Sequence, residues 1–164
     1  MSEKLPKPQI RDFPTTYVVG LERRFERETL VDIGRMWTAL REVAGEIENP
    51  TGTAAFGISQ MRDRQTLTLD YIAGVEVSDL DHVPEGLVGR EIGGGQAAFF
   101  PLKLTGGPIG EVIGGAMGAI WRVWMPASGF EATADYDIER YDYRFNPKSL
   151  TGYIELVVPV KPRS

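Results

Sequence analysis

The chain has no cysteine and only one histidine, His82, among its 164 residues. Without thiols there is no disulfide framework, no thiolate zinc site and no cysteine nucleophile. A serine triad fails too. Ser59, Ser78 and Ser128 sit in no nucleophile-elbow pattern, and the lone histidine lies in the polar loop SDLDHVPEGLVG at 78–89. A metal site would need an all-carboxylate shell, and no such set stands out, so neither a metal nor another cofactor is expected.

Long hydrophobic runs are also missing. The most apolar stretch, 112–121, is bounded by Glu111 and Arg122 and falls well short of the roughly 20 residues a spanning helix needs. The opening MSEKLPKPQIRDFP is polar and has no signal-peptide core. These absences predict a soluble, cytoplasmic protein without a membrane role. A basic excess is absent as well. With 18 Lys and Arg against 23 Asp and Glu, the net charge is −5, which leaves no electrostatic footprint for nucleic acid. Gly93-Gly94-Gly95 lacks the lysine and spacing of a phosphate loop and reads as a flexible turn.

What is present is an ordinary globular composition, 42% hydrophobic and 25% charged, long enough for one domain or two small fused modules. The first dozen residues read as a loose lead-in, and 16–21 (TYVVGL) as a strand. Leu30, Ile33, Met36, Trp37, Leu40, Val43, Ala44 and Ile47 recur at helical spacing. Thr29 is the expected N-cap, and Asn49-Pro50-Thr51-Gly52 the stop. Strands at 53–59 and 66–77 follow, with Gly74 as a candidate bulge, and the loop at 78–89 links to the second half.

The second half repeats the order. A strand at 96–104 is restricted by Pro101 to an edge or a bulge. A helix then carries Ile109, Val112, Ile113, Ala116, Met117, Ile120, Trp121 and Trp124 on its apolar stripe and ends at Pro126. Strands at 137–143 and 152–160 close the chain. The reading is an α+β fold, a single domain over 1–164. It holds two pseudo-symmetric strand–helix–strand–strand modules, about 14–80 and 92–162, with an antiparallel sheet and a central ligand groove. Gly110, Gly114 and Gly118 stand four apart on the second helix. Their cost in helix propensity predicts close packing against a neighbouring element.

Several segments are similar to the GyrI-like family, the effector-binding domain also found fused to DNA-binding modules in AraC- and MerR-type regulators. They are DYIAGVEV at 70–77, VPEGL at 83–87, TGGPIGEV at 105–112, IWRVWMPASGFE at 120–131, IERYDYRF at 138–145 and YIELVVPV at 153–160. The resemblance implies a stand-alone domain that binds amphipathic or cationic aromatic molecules with aromatic side chains and a buried glutamate, for drug or toxin sensing or sequestration. It places that glutamate at Glu155, with Tyr71, Trp124, Tyr141 and Phe99 as the other ligand-binding residues. With no helix-turn-helix module, direct DNA binding is not expected; the partner is a small molecule and the state a monomer or homodimer.

Alternation puts Tyr153, Glu155 and Val157 on one face of the last strand. Spacing alone leaves Glu155 either facing water or lining a pocket, and the resemblance selects the pocket. Trp121 reads as core, and Trp124, at the helix end, as a residue bordering a cleft. The expected role is binding rather than catalysis. The resemblance also implies two alternatives. One is a hydrolase opening cyclopropane-bearing natural products, with Glu155 and Tyr141 as its catalytic groups; the other is a gyrase-inhibitor-type interaction with protein.

Overall fold

Two short links force the sheet to curl. In the computed structural model, which describes residues 5–164, the sheet has the order β1-β6-β10-β8-β3-β4-β2-β5. Strand β1 (Gln9–Phe13) leads into β2 (Thr16–Phe25), and β5 (Val88–Ile92) into β6 (Gly95–Thr105). Each pair joins opposite ends of the strand order, yet only Pro14-Thr15 and Gly93-Gly94 lie between them. A flat sheet of eight strands at about 4.8 Å spacing would separate its edges by over 30 Å, so the edges must come round to meet. The Gly94 N–H donates to the Phe13 carbonyl at 2.7 Å, sealing the junction. At Gly93, φ is +83° and a Cβ would collide with the Pro14 carbonyl, so this is a tight turn that needs glycine and not a flexible one.

The remaining strands are β3 (Pro50–Asp63), β4 (Thr68–Val77), β7 (Phe130–Ala132), β8 (Tyr136–Tyr141), β9 (Phe145–Asn146) and β10 (Thr151–Pro162). All pairings are antiparallel, and β7 and β9 attach to β10. Helix α1 (Ile33–Val43) follows β2. Helix α2 (Ile109–Ala119) follows β6 and continues through a π-helical turn (Ile120–Trp124) into α3 (Met125–Ala127). The result is a mostly antiparallel curled sheet with two helices on one face.

Apolar residues fill three clusters. The face without helices is closed by Phe13, Val18, Phe56, Ile58, Phe99, Ile138 and Val157. Under α1, Met36 and Leu40 pack on Val19, Phe25, Leu69 and Ala73. Under α2, Ile113 and Ile120 pack on Phe100, Leu102, Ile154 and Leu156.

Several expectations change. Residues 9–13 form a strand rather than a loose lead-in, pairing Gln9 with Phe99 and Phe13 with Gly95; the first four residues lie outside those described. Residues 88–92, expected in a loop, pair with β2. Thr29 caps no helix; its hydroxyl bonds back to Glu26, and a short 3-10 turn (Leu30–Asp32) leads into α1. Gly74 stays in register between Gly20 and Phe56, where a Cβ would strike Val18 and the Val19 backbone, so it marks close packing and not a bulge. Pro101 fits its expectation in modified form. It pairs with Glu155 on one side, and on the other β1 has ended, which makes that stretch a local edge.

The glycines of α2 are the clearest correction. A Cβ at Gly110, Gly114 or Gly115 would meet nothing within 4 Å, and at Gly118 only the flexible Arg122 guanidinium. Among the described residues, no other element presses on them.

Candidate functional site

Strand β8 carries acidic groups toward the helices and apolar ones away from them. Ile138 is buried in the cluster on the open face, and alternation turns Asp137, Glu139 and Tyr141 to the helix face. There Glu139 accepts the Tyr141 hydroxyl at 2.6 Å and the Tyr71 hydroxyl at 3.2 Å. Trp37 of α1 donates its indole N–H to the Tyr71 oxygen at 3.2 Å and packs edge-on against Tyr141, ring centroids 5.2 Å apart. From the other side Trp121, on the π-helical turn, donates to Asp137 Oδ2 at 3.0 Å. The Arg64 guanidinium stands 5.4 Å from the Trp121 ring.

Room for this cluster comes from Gly57 of β3, which lies opposite Glu139. A Cβ there would collide with the Tyr71 hydroxyl and approach Glu139 Oε1 to 2.9 Å. The floor of the cluster is therefore bare backbone.

Burial lifts the Asp137 carboxyl to about 7, against the opposing pull of the Trp121 N–H. Burial also raises Glu139, and the Tyr141 and Tyr71 hydroxyls partly offset it. Both tyrosines are pushed well above their ordinary range, first by burial and then by the Glu139 charge. Asp137 and Glu139 are half-buried by surface area, so they sit deep among protein atoms while water still reaches them. Among the described residues, neither makes an ion pair.

Glu155 lies elsewhere. It pairs across the sheet with Arg140, on the face away from the helices, and is 5% exposed. Three guanidinium groups hold it: Arg11 at 3.0 Å, Arg144 at 3.1 Å and Arg140 at 3.3 Å. Asp142 shares Arg140 and Arg144; burial would raise it, but Arg144 brings it down to about 2. These residues line an open cavity of about 590 Å³.

The expected site residues thus divide. Tyr71 and Tyr141 meet on Glu139. Phe99 is buried on the opposite face, under the Arg11 guanidinium at 3.8 Å, in the neighbourhood of Glu155. Trp124 stacks on Phe130 and packs edge-on to Phe100, inside the apolar cluster beneath α2. Glu155 shares its cavity with Phe99, Phe13, Phe56 and Tyr143, while Tyr71, Tyr141 and Trp124 lie on the other face, and its charge is met by arginines. Trp121, expected as core, packs against the cluster beneath α2 and also holds Asp137. Sequence reasoning passed over Glu139, Asp137 and Trp37. The signal was there, since Asp137, Glu139 and Tyr141 alternate with buried Ile138.

The fold recurs among solved structures. An integron cassette protein from the mobile metagenome of Vibrio cholerae matches with a TM-score of 0.66 at 18% identity, covering 97% of this chain and all (100%) of that one. SAV2435, solved bound to tetraphenylphosphonium, matches with a TM-score of 0.66 at 14% identity, covering 94% of each chain. At such identities the likeness is one of fold, and it defines the class: a curled antiparallel sheet with two helices. Within that class the chain belongs to the GyrI-like small molecule binding domain family, whose model matches residues 6–161. The transcriptional regulator BrlR of Pseudomonas aeruginosa is 29% identical over 157 residues. The alignment takes in 93% of this chain and 54% of BrlR, so the chain spans about half the length of that regulator. No helix among the described residues is long and apolar enough to cross a membrane.

Proposed function

We propose that this domain binds amphipathic aromatic cations on the helix face of the sheet, with Glu139 and Asp137 as the counter-charge. Trp37, Trp121 and Tyr141 form the aromatic walls, and buried Tyr71 holds Glu139 in place from behind. The observation that carries this is the Glu139 carboxylate, half-buried among aromatic rings and held by two tyrosine hydroxyls with no cation of its own. Such a carboxylate attracts a ligand cation in a medium of low dielectric, and the rings add cation–π attraction. The tetraphenylphosphonium bound by a protein of the same fold supports the ligand class. In each half of the sheet the strands run second, third, first outward from the central β3–β8 pair. This supports a pseudo-two-fold arrangement with the ligand groove between the helices. The role is sensing or sequestration of such compounds by a monomer or homodimer.

Calorimetric titration with tetraphenylphosphonium tests the assignment. Glu139→Gln weakens binding by about tenfold or more, the worth of a charge-assisted contact, whereas Glu155→Gln leaves it unchanged. The reverse pattern would return the site to Glu155, as the family resemblance first implied.

A hydrolytic reading rests on one observation: Asp137, poised at about 7, stands two residues from a second raised carboxyl, Glu139, which accepts the Tyr141 hydroxyl. Such a group exchanges protons at neutral pH. In this reading Tyr141 keeps its expected role and Glu139 replaces Glu155, whose charge the arginines already occupy. Turnover of a reactive cyclopropane substrate, lost in Glu139→Gln, would establish it.

A further inference from the structure

The cavity on the open face is built differently from the cation site, and its chemistry points to a different ligand. One bank consists of Arg140 and Arg144. Arg140 uses only Nη1 on its partners Asp142 and Glu155. Arg144 uses Nε and Nη2. Among the described residues, Nε and Nη2 of Arg140 and Nη1 of Arg144 have no protein acceptor. Among the described residues no buried side-chain nitrogen or oxygen lacks a partner, so these donors are reached by solvent, on two arginines that line the cavity. Three guanidinium groups face two carboxylates in this network, which leaves one positive charge uncompensated.

The other bank is Glu76 on β4. Its carboxylate accepts the Thr51 hydroxyl at 2.6 Å and makes no ion pair among the described residues. The register places it. Arg140 lies opposite Phe56, and Phe56 opposite Gly74, one pleat from Glu76 on the same face. Two strand spacings put the backbones of Arg140 and Gly74 about 10 Å apart, a span that arginine and glutamate side chains narrow from either side. Phe56 supplies an apolar floor, and Gly74 adds no side chain. Counting every charged residue on the lining, Arg11, Arg140 and Arg144 face Asp12, Glu76, Asp142 and Glu155. A plain anion meets a wall of net negative charge, whereas a zwitterion answers both banks.

Burial of such a network is weak as a device for stability, because apolar packing of the same volume serves as well or better. We propose that this cavity is a second binding site, independent of the cation site, for a small zwitterion. Its oxyanion sits on Arg140 and Arg144, and its cationic end faces Glu76.

Amide NMR titrations of the full chain with phosphocholine, inorganic phosphate and choline test this. Phosphocholine should give saturable shifts at both banks, phosphate should shift only the arginine bank and bind about tenfold more weakly, and choline should shift neither. Arg144→Lys keeps the charge that holds the fold but removes the forked donor, and weakens phosphocholine about tenfold. Glu76→Gln, at the partly exposed bank, weakens phosphocholine and leaves phosphate unchanged. Absence of saturable shifts with phosphocholine, equal binding of phosphate and phosphocholine, or indifference to both substitutions would overturn the proposal.

Discussion

The two faces of the sheet bury glutamates sixteen residues apart in sequence, Glu139 and Glu155, in opposite ways. On the open face Glu155 is surrounded by three guanidinium groups, which meet its charge in full and keep donors to spare. On the helix face Glu139 has only hydroxyl donors, and its charge is left for something else to meet. A buried carboxylate matched by arginines has its charge met within the protein; one matched by neutral donors does not. Surface area alone does not separate these two situations, although Glu155 is the more buried.

The contrast can be broken most sharply from the arginine side. Arg144→Ala leaves Asp142 and Glu155 with only part of their counter-charge, and should cost about 3 kcal/mol of stability, read from the urea midpoint. The same change leaves tetraphenylphosphonium affinity per folded molecule unaltered. If stability holds, the open-face charges are not met by this network.

pH sharpens the other side. Asp137 has a folded pKa of about 7 against an ordinary 3.8, so the folded state holds a proton that the unfolded state has released. Its ionisation therefore lowers stability as pH rises from about 4 to about 7 and adds nothing further above that. Cation binding runs the other way, since the ionised form attracts the ligand. Affinity for tetraphenylphosphonium should rise several-fold between pH 6 and 8 on the order set by one added charge, and Asp137→Asn should flatten the rise. Asp142, held down to about 2, keeps the open face constant over this range.

The smallest effect concerns the lids. Helix α1 packs Met36 and Leu40 into the core, whereas α2 carries glycines with open space around them. Gly114→Ala should stabilise the domain by about 1 kcal/mol, the intrinsic helix preference of alanine, seen as a modest rise in Tm. Destabilisation would mean that some partner presses on that face.

Much of the architecture was legible in periodicity. The stripes at Met36, Leu40, Ile113 and Ile120 and the alternation through Ile138 and Val157 describe the elements that carry the core. The strands at Gln9–Phe13 and Val88–Ile92 were not legible, because their polar residues line the cavity or the sheet edge and mask the pattern. The site was half legible. Alternation sorts residues within one strand but does not say which face the helices cover, and the arginines that converge on Glu155 come from the first strand and from the end of β8. Arg11 stands 144 residues from its partner, a distance at which local pattern carries no information.

That separation has a consequence for how the molecule is made. Strand β1 precedes the other described strands in sequence, yet among the described residues its sheet partner is β6, and its arginine waits for β10, the furthest of them along the chain. Contacts this distant in sequence close late and slow folding. The first half can form its own hairpins and receive its helix while β1 hangs free. The seam at Phe13 and Gly94 then closes the edges, and Glu155 meets Arg11 only once β10 is in place. The open-face cavity is thus walled by strands far apart in sequence, and it takes shape only once the sheet has closed.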